Sequence, residues 1–241
     1  MCMAAVRAGA LRRSASLQMT LAALTLSLVV VAGIAGQSGP AHAATAQFVP
    51  NVPSFYQAYP LSCEASSLRM ALAKEGIAAS DQQILSLTPT DARAATFTGG
   101  SMQWGDPYAS YVGDVSGSEA ALTGYGTYYP TIAGVATRLG GRVLRAGEGV
   151  SPSELYAAIQ AGHPAVAWVT YEWVAATRQD YVAFDGRRIP FAGPVEHAVT
   201  VVGVSPDSVF VNNPITGQEW VSRSAFEAAY GTYNDMAVIL D

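Results

Sequence analysis

The sequence contains very little cysteine. It has two cysteines in 241 residues, Cys2 and Cys63. Cys2 lies in a segment typical of a signal peptide, so the mature chain would keep Cys63 alone and could form no intramolecular disulfide. A lone cysteine in a secreted chain indicates intermolecular pairing or a reactive thiol. The structural alternative is a small buried hydrophobic residue, because free cysteine is often buried.

Charged residues are also scarce, and basic residues are fewer than acidic ones. Charged residues make up 13% of the chain, and the formal net charge is −5. Because nucleic-acid binding calls for a basic face, we expect no nucleic-acid partner. The cysteines and histidines lack the spacing of a zinc site, and there is no glycine motif that would cradle phosphate. We therefore expect no metal and no cofactor.

The first 43 residues have the layout of a secretory signal peptide. Basic residues precede an apolar run over residues 20–36, and the small-x-small site Ala41-His42-Ala43 follows it. The run is short for a membrane-spanning helix, which needs about 20 residues, although an uncleaved signal anchor is the alternative. We predict a signal peptide over 1–43, cleaved near Ala43. The mature protein would be secreted, extracellular or in the cell envelope, without a stable membrane anchor.

Residues 44–241 suit a single domain with enough apolar residues for a core. Residues 88–127 are rich in glycine, threonine, aspartate and tyrosine and look like a long ordered loop. Helical patterns dominate the first part and strand patterns the second, which predicts an α+β domain with an antiparallel sheet. Periodicity and turn residues predict helices over 63–75, 80–87, 131–139, 151–161 and 222–230, and strands over 142–145, 165–171, 197–204, 209–212 and 236–240.

Cys63 has the setting of an activated nucleophile. It opens a predicted helix, with Ser62 as a plausible N-cap and Glu64 in the first turn. A cysteine attacks as the thiolate, which a helix N-terminus and a nearby imidazolium both stabilise. On its own, Glu64 is best explained as a carboxylate that interacts favourably with the helix dipole, and Glu196 as a solvated loop charge.

After the predicted signal, two histidines could serve as the base. His163 lies between a helix end and a strand, where a surface or helix-end histidine is the simpler explanation. His197 begins a strong strand after a loop, which is a rigid mount for a catalytic side chain. Its structural alternative is a hydrogen-bonded histidine at a strand edge. With Cys63 as context, we favour His197 as the catalytic base.

The base needs a third group that holds its tautomer. The strand that begins at His197 forms a hairpin with the next strand, which ends in Asn212-Asn213-Pro214. Strand ends that face each other in a hairpin are neighbours, so Asn213 can reach the imidazole. Alternation points Asn212 and Asn213 to opposite faces, so one of them at most can serve. A turn asparagine before proline is the structural alternative for Asn213.

An acyl transfer also needs donors for an oxyanion. The backbone N–H of Cys63 at the helix start is one, and the side-chain amide of Gln57 could be a second. Asp106 and Asp114 lie in a glycine-rich loop and could bind a cation, but Asx-turns explain them better.

The ordered set of these residues resembles the papain clan of cysteine peptidases, and more closely its bacteriocin-processing (double-glycine) peptidase-like branch. The resemblance rests on VPSFYQAYPLSCEASSLRMAL, GDPYASYVGD, GYGTYYPTIAGVA, PAVAWVT, EHAVTVVGV and VFVNNPITG. It implies a papain-like fold, with N-terminal helices packed on a C-terminal antiparallel sheet. It also implies that Cys63 is the nucleophile, His197 the base, Asn213 the orienting group and Gln57 the oxyanion donor. The branch usually has Asp where this chain has Asn213.

The expected activity is hydrolysis of peptide or amide bonds in a peptide or protein substrate, by a monomeric enzyme. We expect a resting thiolate–imidazolium pair. A non-catalytic binding module on the same fold is one alternative. Another is a cell-wall peptide amidase or a transpeptidase.

Overall fold

The computed structural model describes residues 46–241, so the predicted signal peptide lies outside the described residues. Within them, no helix has both the length and the apolar character needed to cross a membrane. The helices are α1 (Cys63–Lys74), α2 (Asp81–Leu87), α3 (Tyr129–Arg138), α4 (Pro152–Gln160) and α5 (Arg223–Gly231). The strands are β1 (Gln47–Phe48), β2 (Thr90–Asp91), β3 (Thr96–Thr98), β4 (Ser101–Trp104), β5 (Tyr111–Val112), β6 (Val143–Gly147), β7 (Ala165–Thr170), β8 (Tyr181–Ala183), β9 (Arg188–Ile189), β10 (Glu196–Val204), β11 (Ser208–Asn213), β12 (Gly217–Ser222) and β13 (Ala237–Leu240).

A seven-stranded sheet forms the centre of the described domain. Its strands lie in the order β12-β11-β10-β7-β13-β6, and β1 pairs with the far end of β10. The pairings of this sheet are antiparallel throughout the described residues, as the sequence predicts. The predicted hairpin is present as β10–β11, with Thr200 opposite Asn212.

Alternation along β7 divides the core into two layers. Val166 and Trp168 belong to the cluster that contains residues of α1, α2 and α3. Ala165, Ala167 and Val169 belong to the cluster that contains residues of α4 and α5. Helices therefore cover both faces of the sheet. The sequence predicts N-terminal helices packed on the sheet, and these cover one face. The second layer, formed by α4 and α5 on the other face, was not predicted.

Strand β10 is buried along its whole length, from Glu196 to Val204. Val199 and Val201 face the α4–α5 layer, whereas Ala198 faces the α1 layer. Because β10 carries His197 at its start, the histidine is mounted on one of the most buried strands of the protein.

Residues 88–127 are more structured than the expected loop. They contain four short strands, β2 to β5, with β2 and β5 paired in parallel. Strands β3 and β4 join β8 and β9 in a separate four-stranded sheet. The sequence patterns missed β8, β9 and β12, because the first two are very short and β12 is polar and partly exposed.

Candidate active site

Cys63 is the first residue of α1, as the sequence predicts, and 5% of its surface is exposed. Ser62 occupies the N-cap position, but its side chain does not cap the helix. Its hydroxyl instead donates to a carboxylate oxygen of Asp81 over 3.1 Å and also contacts the carbonyl of Tyr59. The first amides of α1, including that of Cys63, have no acceptor within the helix. The amide of Cys63 is therefore available to a developing negative charge.

His197 is the second residue of β10 and lies opposite Val169 of β7. The residue is 2% exposed, and its ring meets the ring of Tyr171 edge-on at a centroid distance of 5.6 Å. The strand pairing and this aromatic contact hold the imidazole in one place.

Asn213 contacts the histidine as the hairpin argument predicts. Its Oδ1 lies 2.9 Å from Nε2 of His197. Asn212 points elsewhere: its amide nitrogen donates to the carbonyl of Pro53, and its oxygen accepts from Gln218. The alternation that separates the two asparagines is thus present in the structure.

Three further contacts fix the orientation of the Asn213 amide. Its oxygen accepts hydrogen bonds from the backbone N–H of Ile215 (3.0 Å) and Thr216 (3.4 Å), while its nitrogen donates to Glu219 over 2.8 Å. The turn role and the orienting role of Asn213 therefore coexist. Since an oxygen faces Nε2 of His197, that ring nitrogen must carry the proton. The neutral ring then has its lone pair on Nδ1, so Nδ1 is the nitrogen that can accept a proton.

Gln57 lines the same cavity of about 290 Å³ as Cys63 and His197. Its amide nitrogen donates to the carbonyl of Pro60 over 2.7 Å, and its backbone N–H donates to the carbonyl of Pro214 over 2.9 Å. An amide nitrogen has two N–H groups, so one remains for an oxyanion. The bond to Pro214 ties the Gln57 loop to the turn that follows Asn213.

The immediate partners of the thiol are carboxyl groups. Sγ of Cys63 lies 3.3 Å from Oε2 of Glu64 and 4.0 Å from Oε2 of Glu196. Oε1 of Glu64 accepts a 2.6 Å hydrogen bond from the backbone N–H of Thr127. A third acid, Glu119, accepts from the backbone N–H of Glu196 over 3.2 Å. The sequence explanation of Glu196 as a solvated loop charge is wrong, because only 4% of this residue is exposed.

Burial sets the protonation state of these groups. It raises the pKa of the Cys63 thiol well above its usual value, and the charges of Glu64 and Glu196 raise it further. Burial also lowers the pKa of His197 to about 4, although the bond to Asn213 opposes this shift. Both shifts favour a neutral thiol and a neutral imidazole. The expected thiolate–imidazolium pair is therefore not the resting state of this closed site.

The three acids retain their protons to higher pH than exposed acids do. Burial raises the pKa of Glu64 to about 7 and that of Glu119 to about 8, and it raises the pKa of Glu196 well above its usual value. The sequence did not associate Glu119 or Glu219 with the site. The sequence does show Glu64 next to Cys63 and Glu196 next to His197. That these acids meet at one site depends on the tertiary fold.

The remaining candidates lie outside this cavity. His163 lies at the other end of β7, where its Nδ1 is 3.2 Å from a carboxylate oxygen of Asp241. Asp106 and Asp114 each accept a hydrogen bond from the backbone N–H two residues ahead, from Tyr108 and Ser116 respectively. These are the Asx-turn contacts that the sequence predicts.

Comparison with known protein families shows which family this chain belongs to. The Peptidase_C39 like family matches residues 49–238. The chain belongs to this family. A crystal structure from Bacillus anthracis, provisionally described as a C39-like peptidase, superimposes on this member of the Peptidase_C39 like family with a TM-score of 0.69. The two chains are 23% identical, and the match covers 81% of this chain and 97% of the other. At that identity the likeness shows a shared fold. A comparison with curated proteins finds no match.

Proposed function

We propose that this member of the Peptidase_C39 like family is a secreted cysteine hydrolase of peptide or amide bonds. The observation that carries the proposal is the hydrogen bond between Nε2 of His197 and Oδ1 of Asn213, at a cavity that Cys63 also lines. The bond leaves a basic nitrogen on a rigid imidazole, in the cavity that a thiol at a helix start also lines. In this proposal Cys63 is the nucleophile, His197 the base and Asn213 the group that positions the base.

In the proposed reaction, Nδ1 of His197 accepts the thiol proton as Sγ of Cys63 attacks the substrate carbonyl. The sulfur–carbon bond forms, and the carbonyl oxygen becomes an oxyanion that the amide of Cys63 and the side chain of Gln57 bind. The carbon–nitrogen bond then breaks as the imidazolium protonates the leaving amine. Water, deprotonated by His197, attacks the thioester and releases the acid and the free thiol.

The neutral resting pair means that the proton moves during the attack and not before it. The thiol currently lies beside Glu64, so it must turn from the carboxyl group toward the imidazole. A bound substrate would exclude water and place an electrophilic carbon next to the sulfur, which favours that proton transfer.

The second candidate is a binding module without turnover. The burial of Cys63 and the raised pKa of its thiol favour it, because an inert structural cysteine has both properties. A third possibility within the same chemistry is transfer of the acyl group to an amine instead of water.

A cleavage profile separates these functions. The purified protein is incubated with a proteome-derived peptide library, and new termini are identified by mass spectrometry. We expect cleavages with the wild type that vanish in Cys63→Ala and His197→Ala and persist in the control His163→Ala. Identical profiles for the wild type and Cys63→Ala would refute hydrolysis by this thiol. Transfer products after addition of an amine acceptor would identify a transpeptidase.

A further inference from the structure

Cys63, Glu64 and Glu196 bring three potential metal ligands together beside the cavity. One ligand atom from each side chain lies within 4.8 Å of the other two. The three residues are 5%, 1% and 4% exposed, so water competes poorly for these atoms. They come from the start of α1 and the start of β10, two elements that pack directly against each other: the hydroxyl of Ser67 in α1 donates to the carbonyl of Ala198 in β10 over 3.1 Å.

A second observation points to a ligand at this cluster. Oε1 of Glu196 is buried and has no hydrogen-bond partner among the described residues. Glu196 lines the cavity together with Cys63. A buried oxygen without a partner is costly, and a bound cation would supply the missing interaction. Nothing else described supplies it, since no Lys or Arg within residues 46–241 forms an ion pair with Glu64 or Glu196.

The backbone at Gly126 lies directly against the cluster. A side chain at this position would collide with Oε1 of Glu64 and come within 3.3 Å of Oε2 of Glu196. The glycine thus lets the two carboxyl groups approach each other and the sulfur. The cavity side remains open to a fourth ligand.

The donor set selects the kind of metal. Thiolate sulfur combined with carboxylate oxygen suits Zn²⁺, which takes four ligands in a tetrahedral arrangement. Mg²⁺ and Ca²⁺ prefer oxygen ligands alone, so a thiolate disfavours them. Three protein ligands leave one position for water from the cavity.

We propose that Zn²⁺ binds to Cys63, Glu64 and Glu196 and blocks the cavity by coordinating the sulfur of Cys63. On binding, the thiol proton and the protons held by Glu64 and Glu196 pass to solvent, and zinc forms bonds to one sulfur and two carboxylate oxygens, with no change in oxidation state. The binding depends on the geometry of the three side chains alone. The inhibitory consequence rests on the proposed function, because it requires that Cys63 is the nucleophile.

Cadmium is a direct probe of this site, since a cadmium–thiolate bond has an ultraviolet charge-transfer band. Metal-free protein is titrated with Cd²⁺, and Zn²⁺ is then added as a competitor. We expect a saturable band in the wild type that Zn²⁺ displaces and that is absent in Cys63→Ser. Glu64→Gln and Glu196→Gln should each weaken the affinity at least about tenfold. The exposed Glu172→Gln is the matched control and should bind like the wild type.

The glutamine variants are checked for folding by circular dichroism. In Glu64→Gln the amide oxygen can still accept the bond from Thr127, so this variant carries the test if Glu196→Gln does not fold. Absence of the band in the wild type would overturn the inference. So would equal affinity in the wild type and Glu64→Gln, which would indicate binding to the thiol alone.

This test and the cleavage test fail independently. A wild type that cleaves peptides but shows no cadmium band retains the proposed function and loses the metal site. A wild type that binds cadmium through all three residues but cleaves nothing retains the metal site and loses the hydrolase. When both properties are present, Zn²⁺ should inhibit the wild type, and Glu64→Gln should require at least about tenfold more Zn²⁺ for the same inhibition.

Discussion

Oδ1 of Asn213 accepts from Nε2 of His197 over 2.9 Å while Nδ2 of the same amide donates to Glu219 over 2.8 Å. Glu219, together with the backbone N–H groups of Ile215 and Thr216, therefore determines which end of the amide faces the imidazole. The chain of contacts runs from β12 through the end of β11 to the start of β10. It sets the tautomer of the histidine without placing a formal charge against the ring.

Substitution of Asn213 should change both the rate and its pH dependence. In Asn213→Ala the imidazole loses its orienting partner, so we expect kcat to fall by about 100- to 1000-fold, within the range that general base catalysis contributes. In Asn213→Asp a carboxylate would stabilise the imidazolium and raise the pKa of His197 from about 4. The acid limb of kcat/KM should then move to higher pH. The neighbouring Asn212→Ala is the control, and an unchanged acid limb in Asn213→Asp would contradict the assignment.

Gln57→Ala tests the oxyanion donor. Loss of one donor to the developing charge should lower kcat by about 100- to 1000-fold with a smaller effect on KM. Gln57→Glu should be at least as slow, because a carboxylate repels the oxyanion. The backbone bond from Gln57 to Pro214 persists in both variants. The exposed Gln83→Ala is the control, and wild-type kcat in Gln57→Ala would show that the donor lies elsewhere.

The buried acids should make the protein less stable as the pH rises from 6.5 to 8.5. In this window the unfolded chain has already lost the protons of Glu64 and Glu119, whose unfolded pKa is near 4.5, while the folded protein keeps them up to about 7 and 8. The folded state then binds more protons, so alkali favours unfolding. His197 has the opposite effect, because its pKa is lower in the folded protein (about 4) than in the unfolded chain (6.5). It makes the protein more stable as the pH rises between these two values, which lie below the window of the acids.

We expect the free energy of unfolding to fall by about 1–3 kcal/mol across that window, which denaturant titrations at both pH values can measure. Glu64→Gln and Glu119→Gln should flatten the dependence, whereas Glu172→Gln should leave it unchanged. A stability that rises between pH 6.5 and 8.5 would be inconsistent with protonated acids in the folded site.

Glu64 and Glu196 should suppress alkylation of Cys63. Burial and the charges of Glu64 and Glu196 raise the pKa of the thiol, so labelling by iodoacetamide should require a pH above the free-thiol value of about 8.5. Removing either charge in Glu64→Gln or Glu196→Gln should shift the labelling curve to lower pH. Mass spectrometry of the labelled peptide gives the curve. Coincident curves for the wild type and both variants would show that the carboxyl groups do not act on the sulfur.

Local patterns were sufficient for several parts of the fold and site. Turn chemistry and an apolar stripe placed Cys63 at the start of α1, and a β-branched run placed His197 at the start of β10. Strand alternation separated Asn213 from Asn212, and the structure shows the resulting contact with His197. These features depend on residues close in sequence or on one hairpin, where period and register are strong constraints.

Other features depend on long-range packing and could not be predicted. Glu64, Glu119 and Glu196 come from α1, a connecting loop and β10, and each looks like an ordinary exposed acid in the sequence. The burial of Cys63 and the charges of Glu64 and Glu196 reverse the expected protonation of the thiol. The second helical layer was likewise invisible, because a helix pattern shows which face is apolar but not which side of a sheet it covers.

The concealment of Cys63 has a consequence for the secreted hydrolase that we propose. The ionised form of an accessible cysteine attacks peroxides and disulfides, and sulfinic acid, once formed, is not reduced back in most proteins. With 5% of its surface exposed and its proton retained, the sulfur of Cys63 is shielded from both reagents. The protein should survive storage in an oxidising medium and become vulnerable when a substrate opens the site and ionises the sulfur.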